Sequence, residues 1–328
     1  MQGIDKAIAL NFGLEPKSLF SYKNMYVVVT SSGRKLLKKI PFSAERIKFV
    51  HGAKEHLVNN GFGNVDRYLC TISGEPFFVH NNCRYTLVDY PDGNESSFDS
   101  DDDVRLSAVT LARLHAASRG YMAPEGCNAQ NELGKLPSYF EKRLDDIKKM
   151  RKQARKGKTR FDELFLQYSD YFIEQGTRTV DALASSSYGR LVEKAGKEAQ
   201  FCHHDYTHHN IYIDEKKATV INFDYCCYEL RIYDVANFIR RKMRKCDWDI
   251  SKAEFILNCY NSVEPLGSDE LSVMGIILQF PQKFWRVVNR YYNSRRSWSE
   301  QSFVSRLQNV IDEIGPFERF IKRYQSLF

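Results

Sequence analysis

The residues best suited to chemistry lie in residues 202–213, which read Cys-His-His-Asp-Tyr-Thr-His-His-Asn-Ile-Tyr-Ile. Asp205 is followed five positions later by Asn210, where the chain enters a short apolar segment typical of a strand. Asn222 and Asp224 follow at the end of the next such segment. Phosphoryl transfer needs this kind of set, because a carboxylate accepts the proton of the attacking hydroxyl and oxygen ligands hold Mg²⁺ against the phosphates. The pattern therefore predicts a phosphotransfer site.

The elements that must position this site differ along the chain. β-branched and aromatic runs predict strands in the first 90 residues, with one helix that begins after Ser43 and ends near residue 60. The strands are expected at residues 25–30, 35–40, 66–72, 75–80 and 84–90. Residues 91–103 are polar and acidic, as a linker would be, and Asp103 is expected to cap the first of many later helices. The sequence thus predicts an α+β protein with a small β-rich domain (residues 1–90) and a larger, mainly helical domain (residues 91–328).

The motif resembles a known family. His-x-Asp-x-x-x-x-Asn, followed by two strands and an acidic tripeptide, is similar to the Brenner-type motif of aminoglycoside and choline kinases. Taken with Asn-Phe-Asp-Tyr-Cys at residues 222–226 and Phe-Pro-Gln-Lys-Phe-Trp at residues 280–285, the chain looks more closely like the CotS-type spore coat proteins. The resemblance covers essentially the whole chain. It implies a two-lobed, protein-kinase-like fold of the aminoglycoside phosphotransferase type. It also implies that the protein is a component of the coat of bacterial endospores.

The resemblance also implies roles for the residues of the motif. Asp205 would be the catalytic base, and His203 would orient the catalytic loop by hydrogen bonding. Asn210, Asn222 and Asp224 would be the Mg²⁺ ligands. The nucleotide would be ATP and the acceptor a small hydroxyl compound that the sequence does not name.

The lysine that contacts the ATP phosphates is expected in the second strand. Lys38 matches its place in the family, and strand alternation puts Leu36 and Lys38 on one face, although Lys35 and Lys39 are close alternatives. Glu55 on the following helix is a candidate partner for Lys38. A solvent-facing lysine and glutamate are the other interpretation of this pair.

Asn222 departs from the family, whose active members carry the Mg²⁺-binding aspartate at that position. An amide oxygen can bind Mg²⁺ but brings no charge. If the strand continues, Asp224 faces the same side but lies roughly 6–7 Å further along, which is too far for a ligand bond. Two functions therefore stay open: a phosphotransferase, and a coat component that keeps the fold as a protein–protein building block.

Other ligands are less well supported by the sequence. His204 and His208 have a spacing that binds zinc on a helix, but the strand that follows argues against a helix here. Residues 148–160 hold eight basic and no acidic side chains, but no aromatic residues interleave for base stacking, so nucleic acid is not the expected partner. Eight scattered cysteines without a CxxC pair are expected to be reduced thiols.

Targeting features are missing from the sequence. The first residues lack the basic-then-apolar layout of a secretion signal, and no apolar run approaches the roughly 20 residues of a membrane span. We expect synthesis in the cytoplasm of a sporulating bacterium, deposition in the spore coat, and other coat proteins as partners.

Overall fold

The computed structural model describes residues 3–127, 129–293 and 299–328. The chain forms two compact units. The first comprises Met1–Asn131, Glu198–Arg231 and Ser262–Glu264, and the second comprises Glu132–Lys197, Ile232–Asn261 and Pro265–Phe328. The predicted domain boundary near residue 90 stays a prediction.

An antiparallel sheet of five strands, in the order β1-β2-β3-β5-β4, begins the first unit. Its strands are β1 (Ser18–Tyr22), β2 (Met25–Thr30), β3 (Gly33–Ile40), β4 (Phe78–His80) and β5 (Cys83–Asp89). The strands predicted at residues 25–30 and 35–40 are confirmed and form the β2–β3 hairpin, whereas β1 and the helix α1 (Ile4–Phe12) were not predicted. Residues 66–72 are not a strand and make only isolated bridges, such as Tyr68 with Val88.

The two faces of strand β3 serve different purposes. Leu37 packs with Ile8 of α1 and Leu87 of β5 in the core of the sheet. Because side chains alternate along a strand, Leu36 and Lys38 lie on the opposite face, as predicted. Helix α2 (Ala44–Asn59) follows, and the Ser43 side chain caps it by accepting a hydrogen bond from the backbone N–H of Arg46.

The remaining elements of the first unit carry the predicted site. They are β6 (Asn94–Glu95), α3 (Asp101–Ala117), β7 (Phe201–Cys202), β8 (Ile211–Asp214), β9 (Lys217–Val220) and β10 (Cys227–Tyr228). Short 3₁₀ turns cover His208–Asn210 and Phe223–Tyr225. Helix α3 begins earlier than predicted, because its N-cap is Ser100 and not Asp103. The Ser100 side chain accepts a hydrogen bond from the backbone N–H of Asp103.

The regular elements described in the second unit are all helices. Its helices are α4 (Leu136–Ala154), α5 (Arg160–Ala184), α6 (Tyr188–Glu198), α7 (Arg231–Met243), α8 (Ile250–Asn261), α9 (Ser268–Gln279), α10 (Gln282–Asn293), α11 (Glu300–Ile311) and α12 (Ile314–Leu327). Stacked aromatic rings join α5 and α10 in the core, where the centroids of Phe172 and Phe284 are 3.9 Å apart. The basic run occupies the end of α4 and the turn into α5. In the ranges that the structure describes, every helix is too short or too polar to cross a bilayer.

Candidate active site

A cavity of about 330 Å³ in the first unit contains most of the predicted site residues. Lys38 of β3 and the side chains of Asn210, Asn222 and Asp224 line its polar side. Apolar side chains also line it, namely those of Met25, Leu36, Val88 and Ile221. This volume is typical of a small-molecule or cofactor site, and the mixture of apolar and charged lining suits a ligand with a flat apolar part and an anionic part.

Lys38 is the cation at the centre of the polar side. Its Nζ atom donates hydrogen bonds to Oδ1 of Asn222 and to Oδ2 of Asp224, the latter at 2.5 Å. The neighbouring lysine of the same strand, Lys35, is instead engaged with Asp89. The structure thus brings Lys38, and not Lys35, to the acidic tripeptide.

The turn after β9 corrects the expectation for Asp224. Strand β9 ends at Val220, and Asn222 adopts a left-handed conformation with φ 66° and ψ 56° before the 3₁₀ turn. Because the strand does not continue, the backbone reverses and both Asn222 and Asp224 reach the same ammonium group. The guanidinium of Arg46 holds this turn by donating to the backbone oxygens of Asp224 and Cys226, at 2.7 and 2.6 Å.

His203 connects the loop of residues 203–210 to Ile221, the residue that follows β9. Its Nδ1 accepts a hydrogen bond from the backbone N–H of Asp205 at 3.2 Å, so the proton of the neutral ring belongs on Nε2. Nε2 lies 2.9 Å from the carbonyl oxygen of Ile221, to which it donates. His203 is completely buried, and its position fixes the loop that carries Asp205 relative to Asn222.

The loop continues into a chain of hydrogen bonds. Asn210 donates through Nδ2 to the backbone oxygen of Asp205 at 2.9 Å and to its carboxylate at 3.1 Å. The Oδ1 atom of Asn210 accepts from Nδ2 of Asn222 at 3.3 Å. Asp205, Asn210, Asn222, Lys38 and Asp224 are therefore connected in one network, with Asp205 at its end.

The oxygen atoms of this network suit Mg²⁺ by type. Two carboxylates, of Asp205 and Asp224, and two amide oxygens, of Asn210 and Asn222, stand within the one hydrogen-bonded set. A carboxylate offers about four acceptor positions, so both retain capacity beyond the bonds they make here. Carboxylate and amide oxygens are the ligands that Mg²⁺ takes in proteins. The zinc alternative lacks its helix, because His204 has φ 67° and His208 lies in the 3₁₀ turn.

Glu55 does not take the place that the sequence suggested. Its carboxylate accepts from Nε and Nη2 of Arg67, at 3.0 and 2.5 Å, and the structure does not bring it to Lys38. Each residue of a helix is turned about 100° from the one before it, and here the preceding residue, Lys54, faces inward. Lys54 lines the cavity and is fully buried.

Lys54 and Asp66 are site residues that the sequence analysis missed. The Lys54 Nζ atom lies 2.8 Å from Oδ1 of Asp66, donates to the Asp66 backbone oxygen at 2.7 Å, and sits 3.8 Å from the ring centroid of Tyr68. The other carboxylate oxygen of Asp66 accepts from the backbone N–H of Asn222 at 2.9 Å. The buried positions Ile47, Val50 and Leu57 place residue 54 on the inner face of α2, so the helical period was the available signal.

Burial and charge shift two ionisable groups near Lys54. Burial raises the pKa of Tyr68 well above its ordinary value, and the negative charges of Asp224 and Asp66 raise it further, so its hydroxyl stays protonated. Burial lowers the pKa of His51, whose ring stacks on that of Tyr68. His51 is thus held neutral behind the wall of the cavity.

The chain matches a known protein family. Residues 5–324 match the family model described as "Spore coat putative kinase YutH". Spore coat protein S of Bacillus subtilis (strain 168) is 24% identical over 315 residues, which cover 95% of this chain and 90% of that protein. The expected place of the protein in the spore coat agrees with both findings.

Solved structures establish the fold. An aminoglycoside phosphotransferase from Alicyclobacillus acidocaldarius subsp. acidocaldarius DSM 446 superposes with a TM-score of 0.87 at 20% identity, covering 98% of this chain and 95% of that one. Amicoumacin kinase hAmiN, solved in complex with AMP-PNP, Ca²⁺ and Ami, gives a TM-score of 0.58 at 14% identity, with 99% of this chain and 93% of that one covered. The predicted α+β, aminoglycoside phosphotransferase-like fold is confirmed, and the chain belongs to the spore coat family of kinase-like proteins.

Proposed function

We propose that this protein is a spore coat component that binds ATP with Mg²⁺ and transfers a phosphoryl group to a small hydroxyl compound. The observation that carries the proposal is the continuous network from Asp205 through Asn210 and Asn222 to Lys38 and Asp224 along a cavity of about 330 Å³. Lys38 binds the phosphates, and the apolar side of the cavity receives the adenine ring.

In the proposed reaction the acceptor oxygen attacks the terminal phosphorus of ATP. A bond forms between them, the bond from that phosphorus to the bridging oxygen breaks, and ADP leaves. The hydroxyl proton passes to the carboxylate of Asp205, which accepts a hydrogen bond from Asn210. His203 holds the backbone of Asp205 by accepting from its N–H. Asn210, Asn222 and Asp224 would hold Mg²⁺, which supplies positive charge to the phosphates when bound.

Asp66 does not replace the charge that is missing at Asn222. Its carboxylate is bonded to the backbone of Asn222, but the charge of Lys54 beside it offsets its own. The described lining of the cavity contains three lysines, Lys23, Lys38 and Lys54, against the carboxylates of Asp66 and Asp224. This excess of positive charge, to which Mg²⁺ would add when bound, favours a polyanionic ligand such as a nucleotide triphosphate.

The test is the melting temperature of the full chain with and without saturating ATP, in Mg²⁺ and in EDTA. A ligand that binds only the folded state adds about 2.7 kcal/mol to the free energy of unfolding when its concentration is one hundred times its Kd. The melting temperature rises as a consequence. We expect a rise with Mg-ATP in the wild type and a much smaller one in Lys38→Ala. No rise at any ATP concentration would leave the coat building block as the function.

That second function is favoured by one observation, the asparagine at position 222. Under this second function the cavity would be the remnant of a nucleotide site, and other coat proteins would be the sole partners. Nucleotide binding without turnover of any hydroxyl compound would support a coat protein regulated by a bound nucleotide. Coat partners are expected under either function, because the family is one of coat proteins.

A further inference from the structure

A second cavity, of about 60 Å³, lies within the helical unit. Aromatic side chains form most of its walls, among them Phe172, Trp248, Phe280 and Phe317. A single water needs about 10–15 Å³, so the space accepts a group of several heavy atoms but not a nucleotide. Among the described residues, none lines both this cavity and the larger cavity of the candidate active site.

Three buried polar atoms on residues that border this cavity have no hydrogen-bond partner among the residues the structure describes. They are Nε1 of Trp248, Nε of Arg244 and Oε1 of Gln175. Trp248 is only 6% exposed, so its N–H has no access to bulk water. Buried donors are almost always satisfied in native proteins, and two N–H donors at one cavity indicate an acceptor that binds there.

The charges around the cavity favour an anion. Arg240, Arg244 and Lys283 line it, and Glu313 is the acidic residue among the described lining. Glu313 is paired with Lys283 at 2.5 Å, and its other carboxylate oxygen lies 4.0 Å from Nε of Arg244, which is beyond hydrogen-bond distance. Burial, together with the positive charge of Arg244, lowers the pKa of Arg240 to about 9. Both arginines remain charged at neutral pH, so repulsion between the two guanidinium groups is relieved when an anion enters.

Trp248 is held at the cavity in an unusual backbone conformation. Its φ is 58° and that of Asp247 is 49°, in the left-handed region that bulky residues seldom adopt. Its ring packs against Phe317 and Phe320, with centroids 4.7 and 5.2 Å away. The packing therefore keeps the indole beside Arg244 in the lining, despite the cost of the backbone conformation.

We propose that this cavity is a second ligand site, which takes the carboxylate or phosphate group of a small molecule with an aromatic or apolar body. The Nε–H of Arg244 and the Nε1–H of Trp248 donate to the anionic group. Phe280 and Phe317 contact the apolar body. The site is separate from the proposed phosphotransfer and needs neither nucleotide nor Mg²⁺.

Calorimetric titration of the full chain with three probes tests the site: phenyl phosphate, benzoate and neutral benzyl alcohol. We expect one-to-one binding of at least one anion and none of the alcohol, and the stronger anion identifies the favoured group. Because phenyl phosphate could enter the nucleotide cavity, the titration is repeated in Lys38→Ala, which should bind as the wild type does.

Two variants report on the donors. Arg244→Gln removes a charge, and Trp248→Phe keeps a ring but loses the N–H; each should weaken anion binding about tenfold or more. Arg319→Gln, an exposed arginine of α12 that changes the net charge equally, should bind as the wild type does. If Arg244→Gln does not fold, Trp248→Phe decides alone. Failure of both anions to bind at millimolar concentration, equal binding of the alcohol, or equal affinities in the Trp248→Phe and Arg319→Gln variants would overturn the proposal.

Discussion

The ammonium group of Lys54 lies 2.8 Å from the carboxylate of Asp66, and the two side chains are only 1% and 10% exposed. This ion pair joins helix α2 to the turn of the acidic tripeptide, because Asp66 also accepts from the backbone N–H of Asn222. The helix thus reaches the site through Lys54, where Glu55 was the candidate from the sequence.

Removal of Lys54 should destabilise the protein strongly. Lys54→Met leaves the Asp66 carboxylate buried without its cation, and breaking a buried pair from one side costs about 3–5 kcal/mol. The measurement is urea unfolding, followed by circular dichroism.

Two controls separate the pair from general effects at α2. Lys48→Met removes a half-exposed partner of Glu75 and should cost less than about 1 kcal/mol. The double variant Lys54→Met/Asp66→Leu should regain much of the loss, since an apolar pair can replace a buried ion pair. Equal losses in Lys54→Met and Lys48→Met would contradict the buried pairing.

Nucleotide affinity should depend on one lysine of β3 and not on its neighbour. Lys38→Ala removes the cation that contacts Asn222 and Asp224, and a lost charge-assisted contact should weaken ATP binding about tenfold or more. Lys35→Ala is the matched control, because Lys35 is engaged with Asp89 and should leave the ATP affinity nearly unchanged. Calorimetry with Mg-ATP measures both, and equal effects would mean that the ligand lies elsewhere.

Strand alternation was enough to predict from the sequence that Lys38 shares a face with Leu36, because β3 is regular and has a period of two. Glu55 was the candidate on α2, although the helical period favoured residue 54 for the inner face. Asp224 was misplaced for a different reason. The left-handed conformation of Asn222 ends the strand. Asparagine can adopt that conformation but also occurs in strands, so its presence in the sequence did not predict the turn. The partner Asp66 lies in an irregular segment, where no periodicity exists to predict which side chain turns inward.

In the acidic tripeptide, residues 222–224, Mg²⁺-dependent ATP binding should depend on Asp224 more than on Asn222. Asp224 already reaches the centre of the site, so Asp224→Asn should abolish Mg²⁺-dependent ATP binding. Asn222→Asp should add little, because Lys38 and Asp224 already balance there. Titration of Mg-ATP into the wild type and both variants separates the cases. A silent Asp224→Asn, with tighter binding in Asn222→Asp, would show that position 222 alone holds the ion.

Stability should fall on acidification through His51. Its pKa is lowered in the folded protein, mainly by burial, and an unfolded histidine titrates near about 6.5. As the pH drops below that value the unfolded chain takes up a proton that the folded chain does not, so the unfolded state gains. Above that value His51 is neutral in both states and contributes no pH dependence. The melting temperature is measured from about pH 8 to about pH 5, which spans about 1.5 units on either side of 6.5. It should fall less steeply with decreasing pH in His51→Gln than in the wild type, and identical slopes would contradict this account.

Turnover, finally, should depend on Asp205 while nucleotide binding does not. Asp205→Asn keeps the side-chain shape and can still accept from Asn210, but it takes up no proton. Phosphoryl transfer to a hydroxyl acceptor should therefore fall about 10²–10⁴-fold, the range of a general base, with Mg-ATP affinity within about threefold of the wild type. Asp214→Asn, on the exposed end of β8, is the matched control and should keep full activity. Turnover is measured as ADP release across a panel of small hydroxyl compounds. Activity that survives Asp205→Asn would assign the proton to another group, and a wild type that binds ATP but releases no ADP with any acceptor would favour the coat building block.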